Sequence, residues 1–136
     1  MKNINSTVVI FAAHPDDEVL GCGGTIAKLT QQGSRVHVVF LADGESSRDD
    51  IIDVDNLILQ RKKNARDALK VLGCASVDFL DFPDNRLDSL DLLDIVKKIE
   101  GFIKTYKPIK VFTHYAHDLN IDHQITYKAV VTACRP

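Results

Sequence analysis

The sequence predicts a three-layer α/β fold on a mainly parallel sheet with strand order 3-2-1-4. Three observations carry this. Short apolar runs alternate with amphipathic stretches, the pattern of repeated β–α units. The first run, Thr7 to Ala13, is continuously apolar, as in a strand covered on both faces. Right-handed crossovers, with two steps outward and then a return, place the first and fourth strands side by side. The 136 residues suit one domain, 1–136, with a single core.

The elements follow in order. A helix is expected from about Asp17 to Gln31, with Gly33 as its C-terminal cap. Gly21, Gly23 and Gly24 each disfavour that helix by about 1 kcal/mol relative to Ala, so they suggest close backbone packing or a ligand near the helix start. The second strand is Val36 to Leu41. A second helix from about Val54 to Leu72 sets Ile58, Ala65, Ala68, Leu69 and Leu72 on one face, and Gly73 ends it. The third strand is Val77 to Leu80, followed by a turn-rich loop with Pro83 and Asn85. Asp88 or Ser89 is expected to cap a third helix whose stripe runs from Leu92 to Tyr106. The fourth strand is Lys110 to Thr113. A polar loop then leads to a last helix from about His123.

Composition narrows the function classes. Hydrophobic residues are 45% and charged residues 26%, as in an ordinary globular protein. A net charge of −2 with no basic run gives no reason to expect a nucleic-acid partner. The acidic group Asp49, Asp50, Asp53 and Asp55 reads as a solvated loop or helix start. Cys22, Cys74 and Cys134 are odd in number and form no CxxC pair, so reduced thiols and a cytoplasmic location are expected. The apolar run near the N-terminus is too short to span a membrane and has no cleavage pattern. The fourth strand is expected at a sheet edge, which makes self-association a possible outcome.

Ligands of such sheets bind beyond the carboxyl ends of the strands, where the strand order reverses. The loops there begin at His14 and His114. In Ala13-His14-Pro15-Asp16-Asp17-Glu18, His14 and Asp17 are three apart at a strand-to-helix turn, and Pro15 pins the backbone. In His117-Asp118-Leu119-Asn120-Ile121-Asp122-His123, His123 is the candidate third ligand, with Asp122 available to orient a histidine. Two histidines and one aspartate suit zinc or ferrous iron and leave a coordination position open. Taken singly, each loop has an ordinary reading as a dipole-complementing carboxylate pair or a surface histidine. Their joint placement at the reversal point favours a site.

The segment Ala12-Ala13-His14-Pro15-Asp16-Asp17-Glu18-Val19-Leu20-Gly21-Cys22-Gly23-Gly24-Thr25 resembles the signature of the PIG-L/LmbE-like metal-dependent deacetylases. Asp118 to His123 resembles that family's second metal motif. Leu41-Ala42-Asp43-Gly44-Glu45, Arg61, Leu72-Gly73 and Phe82-Pro83-Asp84-Asn85-Arg86 are similar to family landmarks in the same order. The resemblance implies a Rossmann-like fold with a mononuclear Zn2+ site, Fe2+ being a possible substitute. It implies hydrolytic removal of an acetyl group from an N-acetylated sugar or glycoconjugate. His14, Asp17 and His123 would bind the metal, and Asp16 would be the general base. Arg61, Asp84 and Asn120 would contact substrate. Many members carry a histidine where Asn120 stands, so His114 or His117 is a candidate to take over its role. Members also continue beyond the point where this chain stops, so part of the family fold is expected to be missing. Two other readings remain: a metal-binding remnant with impaired catalysis, and a Rossmann-like nucleotide-binding module built on the glycine-rich helix start.

Overall fold

The computed structural model describes residues 6–50 and 52–136. Four parallel strands, β1 (Thr7–Ala12), β2 (Arg35–Ala42), β3 (Ser76–Phe82) and β4 (Lys110–Phe112), lie in the order β3-β2-β1-β4. This is the predicted order. β1 is central, pairing Val8 with Val36 on one side and with Lys110 on the other. Four helices cover the sheet: α1 (Asp17–Gln31), α2 (Val54–Val71), α3 (Leu92–Tyr106) and α4 (Ile121–Ala133).

Side-chain alternation along the strands sorts the core into two layers. Val9, Phe11, Val39 and Leu41 face α3 and α4, where they meet Ile95, Val96, Ile99, Ala129 and Val130. Val8, Ile10, Val36, Val38 and Phe40 face α1 and α2, against Ile26, Ala65 and Leu69. All of these are buried, so the continuous apolar runs of β1 and β2 reflect a sheet covered on both sides.

Several boundaries differ from the sequence reading, each for a local reason. α3 begins after Asp91 because Leu87–Ser89 folds as a separate 3-10 turn, so neither Asp88 nor Ser89 caps it. α4 begins at Ile121, two residues before His123, because the Asn120 side chain accepts hydrogen bonds from the backbone N–H groups of Asp122 and His123. Asp53, one of the acidic group, caps α2 by accepting from the Asn56 N–H.

The glycines of α1 do not pack closely. A Cβ at Gly21 or Gly24 would meet nothing within 4 Å. The helix is instead broken at Cys22, whose φ of −145° and ψ of 21° are non-helical. The glycines thus permit a kink rather than a tight contact. Gly33 takes a positive φ of 87° just past the end of α1, as a left-handed cap requires.

At the amino end of the sheet, His37 stacks on Tyr106 with ring centroids 3.9 Å apart, and its Nδ1 lies 2.7 Å from Ser76 Oγ. Burial, then the charge of Arg35, pushes the His37 imidazole below its ordinary pKa. No helix among the described residues is long and apolar enough to cross a membrane.

Two predictions follow from the packing. Ile99→Ala should cost about 2–5 kcal/mol of stability, whereas Leu20→Ala, at an 82% exposed site, should stay within about 0.5 kcal/mol. Urea midpoints of both variants check this. Because His37 is held neutral in the fold, its contribution is complete above the ordinary histidine range and is lost as pH falls below it. The His37→Phe variant should therefore lose less stability between pH 7 and pH 5 than the parent, measured by urea melts at each pH.

Candidate metal centre

Three loops meet beyond the carboxyl ends of the strands. The loop after β1 is a tight turn in which the His14 carbonyl accepts from the N–H groups of Asp16 (2.9 Å) and Asp17 (3.2 Å). The loop after β4 is tied to it by the Ala13 N–H, which donates to His114 Nε2 at 2.8 Å. The loop after β3 is held by Asp122, whose two carboxylate oxygens accept from the N–H groups of Asn85 (2.7 Å) and Leu87 (3.0 Å).

Within this junction the two candidate histidines are arranged alike. His14 Nε2 lies 2.8 Å from Asp122 Oδ2 and 3.1 Å from Asp84 Oδ1, while its Nδ1 faces Asp17 Oδ2 at 3.4 Å. His123 Nδ1 lies 3.0 Å from Asp118 Oδ2, while its Nε2 faces the same Asp17 oxygen at 3.1 Å. Each imidazole therefore has one nitrogen fixed by a carboxylate and the other turned toward Asp17. A histidine that donates its far N–H to a carboxylate is oriented as a metal ligand with raised basicity.

Among the described residues, three sets of donor atoms each lie within 4.8 Å of one another: His14, Asp17 and His123; His114, Asp118 and His123; and His14, Asp84 and Asp122. The first fits a cation best. The His14 and His123 rings are tilted by 45° with centroids 5.4 Å apart, so their in-plane lone pairs can converge. His114 and His123 are stacked at 3.9 Å and 21°, which sends their lone pairs along nearly parallel planes. Asp84 and Asp122 already share the far nitrogen of His14. An imidazole–carboxylate–imidazole donor set suits zinc or another divalent metal.

The carboxylates around His14 make a field that favours positive charge. Burial alone would lower the pKa of His14, but hydrogen bonds to Asp122 and Asp17, and their charges, outweigh it and push it up to about 10. Burial would raise Asp17, yet its bonds to His14 and the charges of His123 and His114 hold it below the usual carboxylate range. His114 is pushed down to about 4 by burial and then by the charge of His123. Since its Nε2 accepts from Ala13, His114 is set as a neutral, structural imidazole.

The remaining predicted residues spread around this cluster. Asp16 stands at the N-cap position of α1 without a capping bond, and its carboxylate is half exposed. Arg61 reaches it at 3.4 Å, donates to the Pro15 carbonyl at 3.2 Å, and is braced by Glu45 at 2.6 Å. Gly44 is required beside it: φ is +78°, and a Cβ there would lie 3.3 Å from Arg61 Cδ. Asp84 is buried; its carboxylate accepts from Ser47 and borders His14. The Asn120 carboxamide caps α4 and donates to Asn85 Oδ1 at 3.2 Å. His117 is in edge contact with Tyr115.

Two residues took no assigned role in the sequence reading and matter here. Asp118 orients His123, and Glu45 braces Arg61. Asp118 stood in the segment that resembles the family's second metal motif, but nothing in the sequence paired it with His123. Glu45 lay in a segment similar to a family landmark, but its partner was not legible because Arg61 lies sixteen residues away on α2. A nucleotide phosphate is disfavoured at α1, where Asp16 and Asp17 stand in the position an anion would take.

Two clefts flank the start of α1. One, about 450 Å³, is bounded by Asp16, Glu45, Leu57, Arg61 and Ala65. The other, about 350 Å³, is bounded by Ile10, Asp17, Gly21, Cys22, Phe112 and His114. Glu18 borders both.

Comparison with known proteins identifies the family. The family described as GlcNAc-PI de-N-acetylase (PIG-L) matches residues 9–134. An uncharacterized deacetylase, YaiS, of Escherichia coli is 36% identical over 98% of this chain and 70% of its own length. A probable N-acetyl-alpha-D-glucosaminyl L-malate deacetylase 2 of Bacillus cereus is 33% identical over 93% of this chain and 60% of its own. The N,N'-diacetylchitobiose deacetylase of Pyrococcus horikoshii superposes with a TM-score of 0.85 at 26% identity, covering 94% of this chain and 49% of that one. The chain thus spans between about half and 70% of the length of these relatives. The motif around His14, the sheet order and the match across nearly the whole sequence make this chain a member of the PIG-L de-N-acetylase family.

Proposed function

We propose that the chain is a single-domain, divalent-metal-dependent N-deacetylase acting on an N-acetylated amino sugar, its glycoconjugate or a related amide. The observation that carries this is the pair of imidazoles, each locked by a carboxylate on one nitrogen and facing Asp17 with the other. His14 through Nδ1, Asp17 through Oδ2 and His123 through Nε2 are the residues that would hold the metal, zinc or ferrous iron. A divalent cation bound there supplies Lewis-acid chemistry, lowering the pKa of water and polarising an amide carbonyl.

The chain's own residues supply the rest. Asp16 is the general base. Its carboxylate is free of helix capping and reachable from solvent, so it can accept a proton from the attacking water. The same carboxyl can return that proton to the leaving amine. Arg61, anchored by Glu45, keeps the Asp16 side chain beside the site and presents a guanidinium edge to substrate hydroxyls. Asp84 and Asp122 hold His14 in its tautomer, and Asp118 does so for His123. Asn120 fixes the start of α4, which carries His123, and its amide, which donates to Asn85, would be a further substrate contact. Free thiols at Cys22, Cys74 and Cys134 suit a reducing compartment, and the cytoplasm is the proposed location.

Asp16→Asn should retain the metal while kcat for an N-acetylglucosamine derivative falls about 10²–10⁴-fold. Metal analysis beside initial rates checks this, and full activity in Asp16→Asn removes Asp16 from the mechanism. His123→Ala should lose both equimolar zinc and activity. Chelation of the parent should abolish turnover reversibly, with recovery on adding zinc or ferrous iron.

A further inference from the structure

Asn85, in the loop after β3, touches the supports of both candidate histidines. Its backbone N–H donates to Asp122 Oδ2 at 2.7 Å, the same oxygen that lies 2.8 Å from His14 Nε2. Its carboxamide Nδ2 reaches Asp84 Oδ1 at 3.4 Å, and that oxygen lies 3.1 Å from the same His14 nitrogen. Its Oδ1 accepts from Asn120 Nδ2 at 3.2 Å. A carboxamide has a donor end and an acceptor end, so an acceptor beside Asn120 Nδ2 fixes which end faces the helix. The Asn120 oxygen is thereby left to the N–H groups of Asp122 (2.8 Å) and His123 (3.2 Å) at the start of α4. Asn85 Nδ2 also donates to Ser47 Oγ at 3.2 Å, which ties in the loop after β2. The backbone at Asn85 is left-handed, with φ of 52°. Asn and Gly enter that region readily, whereas Ala does so at a cost.

We propose that Asn85 is a positioning residue for the metal centre, acting on His14 through Asp122 and Asp84 and on His123 through Asn120. The proposal rests on the metal-dependent reading of the site. Groups that hold ligands in place set their direction, and losing one lowers metal affinity by about 10–100-fold. The Asn85 side chain is exposed, so its removal opens no cavity in the core. The two arms of the residue can be separated. Asn85→Gly keeps the left-handed backbone and the N–H to Asp122 but removes the carboxamide. Asn85→Ala removes the carboxamide and strains the turn that presents the N–H.

The test reads metal binding and the imidazoles themselves. Zinc affinity is measured by competition with a chromophoric chelator for the parent, both Asn85 variants and Asp88→Ala, an exposed residue of the same stretch. Affinity should fall about tenfold or more in Asn85→Ala and about fivefold in Asn85→Gly, and should hold within about twofold in Asp88→Ala. The visible absorption bands of the cobalt-loaded Asn85 variants should shift from those of the parent, which a general loss of stability does not produce. In the metal-free chain, the side-chain nitrogen signals of His14 and His123 should move in Asn85→Gly, with those of His37, at the other end of the sheet, unchanged in the same NMR spectrum. Should Asn85→Ala not fold, Asn85→Gly alone decides. Parental zinc affinity, cobalt bands and imidazole signals in the variants overturn the positioning role and leave the deacetylase reading standing. A parent that binds no zinc, with His14 and His123 signals displaced in Asn85→Gly, supports the positioning role and overturns the metal-dependent reading. A parent that binds no zinc, with no signal displaced, overturns both.

Discussion

The junction of loops depends on one carboxylate. Asp122 is wholly buried, and a charge in that position without partners costs several kcal/mol. It is compensated by three donors from two other loops: His14 after β1, and the N–H groups of Asn85 and Leu87 after β3. Removing any one donor leaves the charge less satisfied, so the three loops are bound to a common geometry. Burial would raise the Asp122 pKa, but these donors hold it below the usual carboxylate range. The same bond turns His14 so that its other nitrogen faces Asp17. One interaction therefore both ties the loops together and sets the direction of the His14 ring.

Around that point the chain separates support from chemistry. The rear of each candidate histidine, His14 and His123, is occupied by a carboxylate, and the front is left to Asp17. Asp16, one residue before Asp17, meets Arg61 and not the histidines. Adjacent aspartates thus meet different partners, because successive residues at a helix N-terminus project in different directions. Glu18 continues the pattern inward. Burial, with the charges of Asp16 and Asp17, pushes its pKa up to about 7 against the pull of nearby backbone N–H groups.

The break in α1 shapes the surroundings. A regular helix through Gly21–Gly24 would keep the helix start straight over β1. The non-helical backbone at Cys22 lies beside the cleft that Gly21, Cys22 and Phe112 border. The glycines were visible in the sequence as helix-weakening residues, and close packing was the expected reason. Their effect is the reverse: they remove side chains from a space that remains open.

The sequence by itself determined the sheet, its order and the ligand candidates. Apolar runs such as Thr7–Ala12, the amphipathic stripes and crossover handedness are local or nearly local properties, and they fix which loops meet. The spacing of His14 and Asp17 within one turn was legible for the same reason. Only the tertiary structure decided which carboxylate serves which histidine, since Asp122 and His14 are 108 residues apart. It also decided that Asp84 lies buried beside His14, that Arg61 is engaged by Glu45 and Asp16, and that Asn120 caps α4. Such pairings depend on side-chain direction and burial across separate elements, which periodicity along a chain does not encode.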